Sequence, residues 1–173
     1  MSRARILCFG ELLLRLGAPG HELLLQQPRL EVHCGGAEAN VGVSLAHFGH
    51  DVAMVSTVAD NPLGAAVLGE LRRHAVDTRH VRRVDGRVGL YFLTTGAIHR
   101  ASEVVYDRAD SAFALAPADA YDWPRLLDGA QWLHLSGVSP ALGADVAQAT
   151  LAAARAARAA GVKVSFDGNY RPK

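Results

Sequence analysis

The chain has 173 residues, half of them hydrophobic and 20% charged, the balance of a globular protein built around one core. Eighteen basic against seventeen acidic residues leave a net charge of +1, which excludes the broad positive field that recruits nucleic acid or an anionic membrane. No apolar run approaches the roughly 20 residues of a membrane span. The first apolar stretch is broken by Gly10 and Glu11, so no secretory leader is read; with only two distant cysteines, Cys8 and Cys34, the expected compartment is the cytoplasm.

Ile6–Phe9 reads as a short buried strand ending at Gly10. Residues 22–34 read as a strand set apart from the main pattern. Ala37–Phe48 follows as a helix, with Val41, Leu45 and Phe48 on one face and Gly49 as its stop. Val52–Val58 is a second buried strand. Asn61-Pro62 then pairs a capping side chain with a proline at the first helical position, opening a helix that runs to about His74. Within residues 87–107, Tyr91–Thr95 and Val104–Tyr106 are rich in strand formers, and the polar stretch from Gly96 to Ser102 turns between them. Arg72-Arg73 and Arg82-Arg83 are read as solvated faces.

Gln131–Leu135 is a third buried strand. Ser139-Pro140 repeats the cap-and-proline device, so a helix is expected over Ala141–Ala160, packing Leu142, Val146, Ala149 and Ala153 on the sheet and stopping at Gly161. Val162–Phe166 is the fourth strand. Continuous apolar strands alternating with helices predict an α/β fold with a largely parallel sheet. The two segments outside the alternation predict a small β-subdomain over the strands' carboxyl ends, where ligands of open α/β sheets sit and where a lid has something to cover.

Chemistry concentrates in three places. Cys34-Gly35-Gly36-Ala37-Glu38-Ala39-Asn40 sets two glycines before a helix start, where backbone N–H groups reach hydroxyls or anions, and Asn40 adds both a donor and an acceptor. The same residues also suit an ordinary glycine turn with Asn40 on a solvated face. Val58-Ala59-Asp60-Asn61-Pro62-Leu63-Gly64 places an aspartate before the second helix, and Asp167-Gly168-Asn169-Tyr170-Arg171 ends the fourth strand. In order and spacing these segments resemble the signatures of ribokinase-type (PfkB) sugar kinases along essentially the whole chain. The resemblance implies a ribokinase-like three-layer sandwich with a β-sheet lid.

Val104-Val105-Tyr106-Asp107-Arg108-Ala109-Asp110-Ser111-Ala112 is similar to the Tyr-x-Arg-Ala-x-Ser-Ala segment of 2-keto-3-deoxygluconate kinases. That resemblance implies that Tyr91, Tyr106, Arg108 and Arg171, together with Gly35, Gly36 and Asn40, contact a sugar acid. An arginine fork suits its carboxylate because paired N–H groups bind both oxygens. Many neutral-sugar relatives carry an aspartate just after the first strand. Here Gly10–Leu16 has none, although Glu11 lies in the stretch with its direction open.

Other chemistries find little support. His47 and His50 are separated by a helix-ending glycine, with no third ligand in view, and no metal site is expected. Ser136-Gly137-Val138-Ser139 lacks a nucleophile elbow, and there is no Gly-x-x-x-x-Gly-Lys phosphate loop.

The family's Gly-Ala-Gly-Asp segment, which supplies the catalytic aspartate and phosphate-binding amides, is not found; Leu142-Gly143-Ala144-Asp145 reads as a helix start. The resemblance implies ATP and Mg²⁺ as co-substrate and ion, with Asp167 and Asn169 near the phosphate. Loss of a general base costs roughly 10²–10⁴-fold and loss of an anion hole about 10²–10³-fold. These 173 residues alone are therefore expected to be the catalytically inactive front part of such a kinase, of poor stability, with an open apolar edge at Val162–Phe166. Two alternatives stand beside the sugar-acid reading: a fructokinase-like kinase of a neutral sugar, and a non-catalytic sugar-binding remnant that forms homo-oligomers through its lid.

Overall fold

The structure is a computed structural model that describes residues 5–169. Strand β1, Arg5–Phe9, is the centre of the main sheet. Beside it lie β4, Asp51–Ala59, and then β5, Asp77–Val84; on its other side lie β8, Trp132–Ser136, and β9, Lys163–Asp167. All four pairings are parallel.

Alternation along the strands divides the core in two. Ile6, Cys8, Val52 and Met54 face one way, against α1 (Ala37–His47) and α2 (Pro62–Arg73). Leu7, Phe9 and Val55 face the other way, against α3 (Trp123–Leu126) and α4 (Ala144–Ala159). The result is the expected three layers. Phe9 anchors the second half of the core, its ring 5.0 Å from those of both Tyr121 and Trp123 in edge-on contact. On the outer edge, Phe166 of β9 is 58% exposed.

The lid is a four-stranded sheet of β3 (Glu31–Gly35), β2 (Leu13–Gly17), β6 (Gly89–Thr94) and β7 (Glu103–Asp107), in that spatial order. Its central pair, β2 and β6, is parallel, and both outer pairs are antiparallel.

The Asn61 cap forms as expected, its Oδ1 accepting from the Gly64 amide at 3.0 Å. Several expectations need correction, and two strands were not read. The strand expected over 22–34 starts only at Glu31, because Glu22 and Gln26 donate backwards to the carbonyls of Pro19 and Leu23 and hold the segment in turns. β2 was not read, since Leu12-Leu13-Leu14 has neither the β-branched residues nor the alternation that mark a strand. β5 was not read either: an edge strand with one face in water needs no continuous apolar run, and its Arg83 binds Asp60 at 2.5 Å. The helix expected from Ala141 begins at Ala144, because residues 140–142 form a 3₁₀ turn and Gly143 is extended. Ser139 is not a cap; its hydroxyl turns to Glu38. Among the described residues no helix is long and apolar enough to cross a membrane.

Candidate functional site

The site grows from the loops at the carboxyl ends of β1 and β8. Gly36 is the N-cap of α1 with φ 152°, and a Cβ there would lie 2.5 Å from the Glu11 carbonyl oxygen. Only glycine lets the helix start approach β1's exit this closely. Two residues on, Glu38 is 1% exposed. Its Oε1 accepts from the hydroxyls of Ser136, at 2.7 Å, and Ser139, at 2.9 Å. The carboxylate fills the space beside Gly10 where a Cβ would stand. Glu38 thus fastens the start of α1 to the exits of β1 and β8, and its charge sits favourably at the positive end of the helix. Beneath it, burial pushes the Cys8 thiol up to about 12, with the Glu38 charge as the second cause, so Cys8 is a neutral packing residue.

The second part is the lid. Register places Leu13 between Gly35 and Gly89, and Tyr91 opposite Tyr106. The two tyrosine rings lie 5.9 Å apart, and the Arg108 guanidinium sits 5.9 Å from the Tyr106 ring centre, within cation–π range. Glu11, 2% exposed, receives the fork of Arg108: Nε donates to Oε2 at 2.7 Å and Nη2 to the same oxygen. Ser111 donates to its other oxygen at 2.5 Å. Arg108 is itself only 15% exposed at the side chain.

The structure therefore brings together Gly35, Tyr91, Tyr106 and Arg108, and it adds Glu11 as the partner of the arginine. It does not leave Arg108 with an uncommitted fork, which is what direct capture of a carboxylate called for. Asn40 is exposed and lines a cavity of about 310 Å³ between α1 and α2, shared with Cys34, Gly35, Ser44, Glu70 and His74. Asp167 ends β9 with its carboxylate in solvent, its Oδ1 accepting from the Asn169 amide at 2.9 Å; Asn169 adopts φ 38°. Arg171 lies outside the described residues.

His47 bonds not to His50 but to His74, at 3.0 Å, and among the described residues no group of three or more His, Cys, Asp or Glu is arranged to hold a metal. Three residues were missed or left open by sequence reasoning: Glu11, Glu38 and Ser111. An acid two places after Gly36 carries no local sign that it will be buried. A faint signal existed in Gly10 and Gly89, whose missing side chains make room for the two carboxylates.

The structure is thus a parallel three-layer α/β body with a small β-lid whose tyrosine and arginine side chains cluster beside the Gly35 turn. The model of the pfkB family of carbohydrate kinases matches residues 3–173, and the chain belongs to that family. It is 36% identical over 172 residues to a 2-dehydro-3-deoxygalactonokinase of Haloferax volcanii, covering 98% of this chain and 53% of the relative. It is 32% identical over 180 residues to a fructokinase of Salmonella typhimurium, covering 98% and 52%. Among solved structures, the 2-dehydro-3-deoxygluconokinase of Thermotoga maritima superposes with a TM-score of 0.94 at 44% identity, covering 98% of this chain and 52% of that one. The chain spans about half the length of these relatives.

Proposed function

We propose that these residues form the sugar-gripping part of a kinase that phosphorylates a 2-keto-3-deoxy sugar acid, 2-keto-3-deoxygluconate, with ATP and Mg²⁺. The observation that carries the reading is the lid cluster: Tyr91 and Tyr106 side by side, with Arg108 against the second ring and the glycine turn at Gly35 below. Two phenols supply hydroxyls and apolar ring faces to a polyhydroxylated chain. The 2-dehydro-3-deoxy-sugar-acid kinases named among the relatives support the same substrate class.

The role of Arg108 is twofold in this reading. It neutralises Glu11, so that no bare carboxylate repels the substrate, and it offers its remaining edge toward the sugar. ATP brings the transferable phosphoryl group. A magnesium ion held mainly by phosphate oxygens needs only one or two protein carboxylates, and Asp167, exposed at the sheet's carboxyl end, has the donor chemistry for one of them. The general base is proposed to come from a segment other than residues 1–173, so this polypeptide alone binds sugar without turnover.

The fructokinase-like alternative draws on one specific observation, the commitment of Arg108 to Glu11, which removes half of the fork that a carboxylate would use. Calorimetric titration of the chain with 2-keto-3-deoxygluconate and with fructose separates the two readings. Tighter binding of the acid is expected, and equal or tighter binding of fructose would overturn the acid assignment. ADP formation in the presence of ATP and Mg²⁺ would overturn the proposal that the base lies elsewhere.

A further inference from the structure

Pairing in the lid arranges side chains in rows. Partners directly opposite on neighbouring strands share a face and stand one strand spacing apart, about 4.8 Å. On the face that carries the tyrosine pair, the row nearest the glycine turn is Gly35, Leu13 and Gly89. The next is His33, Arg15, Tyr91 and Tyr106. Arg15 therefore stands beside Tyr91, on the same face as both tyrosines, and one row out from Gly35, Leu13 and Gly89.

The basic side chains of this face are not equivalent. Arg108 directs Nε and Nη2 to the buried carboxylate of Glu11. His33 lies 3.9 Å from Glu31. Arg15 is half-buried, and among the described residues no hydrogen bond or ion pair engages its guanidinium. A half-buried arginine without an acid partner, flanked by a phenol, is a poor arrangement for stability alone. It keeps a whole planar fork of donors available to an incoming oxyanion.

We infer that Arg15 binds the carboxylate of the sugar acid and is a specificity-determining residue of the lid. The inference rests on the sugar-acid reading of the preceding subsection. It gives Arg108 and Arg15 different tasks: Arg108 cancels the charge of Glu11 and shapes the ring of Tyr106, while Arg15 meets the charge that distinguishes an acid from a neutral sugar. The row places that charge above Tyr91, so the hydroxyl-bearing remainder of the substrate points down toward Gly35 and the start of α1.

The test is titration of the parent chain, Arg15→Gln and Arg15→Lys with 2-keto-3-deoxygluconate and with fructose, at low and at raised salt, after circular dichroism has established equal folding. Arg15→Gln is expected to weaken the acid by about tenfold or more and to leave fructose within about twofold. Arg15→Lys should recover part of the loss, because charge returns without the planar fork. Salt should weaken acid binding more in the parent than in Arg15→Gln. Binding of the acid by Arg15→Gln within about twofold of the parent sinks this inference while leaving the substrate reading intact. A parent that prefers fructose sinks the substrate reading, and the inference with it.

Discussion

Replacing Glu11 by glutamine removes one charge from the buried pair while keeping the size of the side chain and an acceptor for Ser111. The carboxylate is 2% exposed, so the arginine it holds is left with a neutral partner in a place water scarcely reaches. Breaking a buried ion pair by removing one charge costs about 3–5 kcal/mol. Arg108 keeps 15% of its side chain in solvent, and a glutamine oxygen can still accept from Nε, so the lower end, about 3 kcal/mol, is expected. With a urea slope of about 2 kcal/mol per molar, the unfolding midpoint falls by about 1.5 M. Arg108→Gln, which instead strands the carboxylate, is expected to be at least as damaging. The double variant has neither charge to compensate. It should lose less than the sum of the two by about 2 kcal/mol or more, the signature of direct coupling. The assay is urea unfolding followed by circular dichroism on all four proteins. Additive losses, or a Glu11→Gln midpoint within about 0.3 M of the parent, would refute the pairing and its place at the centre of the lid cluster.

Two further outcomes follow from the body of the fold. Gly10→Ala drives a methyl group into the Glu38 carboxylate and dislodges the two serine hydroxyls it holds. A loss of about 2 kcal/mol or more is expected in thermal or urea melts, and an unchanged midpoint would show that the carboxylate is free to move aside. His134 titrates in the sensitive range. Burial holds its imidazole below the ordinary histidine value, against the opposing pull of Glu38 and Asp167, and its Nδ1 lies 3.2 Å from the Ser165 hydroxyl. The unfolded chain therefore binds the proton first, near pH 6.5. Stability contributed by neutral His134 is complete above that pH, declines as pH falls through it, and levels off below the depressed folded value. Burial lowers His80 in the same direction, so the comparison that counts is parent against His134→Gln. The variant should show a shallower decline between about pH 7 and pH 5, and identical slopes would remove His134 from the account.

Residues close in sequence determined the body of this protein legibly. Strands β1, β4 and β8 were visible as apolar runs, β9 as Val164 and Phe166 alternating with Lys163 and Ser165, and helices α1 and α2 through Gly49, Asn61 and Pro62, because each signal is complete within a few residues. The lid strands at Gly89–Thr94 and Glu103–Asp107 were visible for the same reason. So was the chemical character of the lid, with its two tyrosines and its arginine. The face expected on α1 is not the one that packs: Phe48 is 80% exposed, and Glu38, Ala39 and Gly42 are buried instead. What only the tertiary structure decided is who faces whom. Glu11 and Arg108 are 97 residues apart, and nothing near either one says that the arginine's fork will close on that carboxylate. Ser139 had the form of a helix cap, yet Glu38, 101 residues away, offers its hydroxyl a buried charged acceptor, which is stronger than an exposed amide at a helix end. Arg15 drew no notice in a segment that was not read as a strand, and it joins the tyrosine row only once β2 lies beside β6. Buried charges must find partners wherever the fold brings them, because the interior leaves no water to serve instead. That requirement is satisfied in space rather than along the chain.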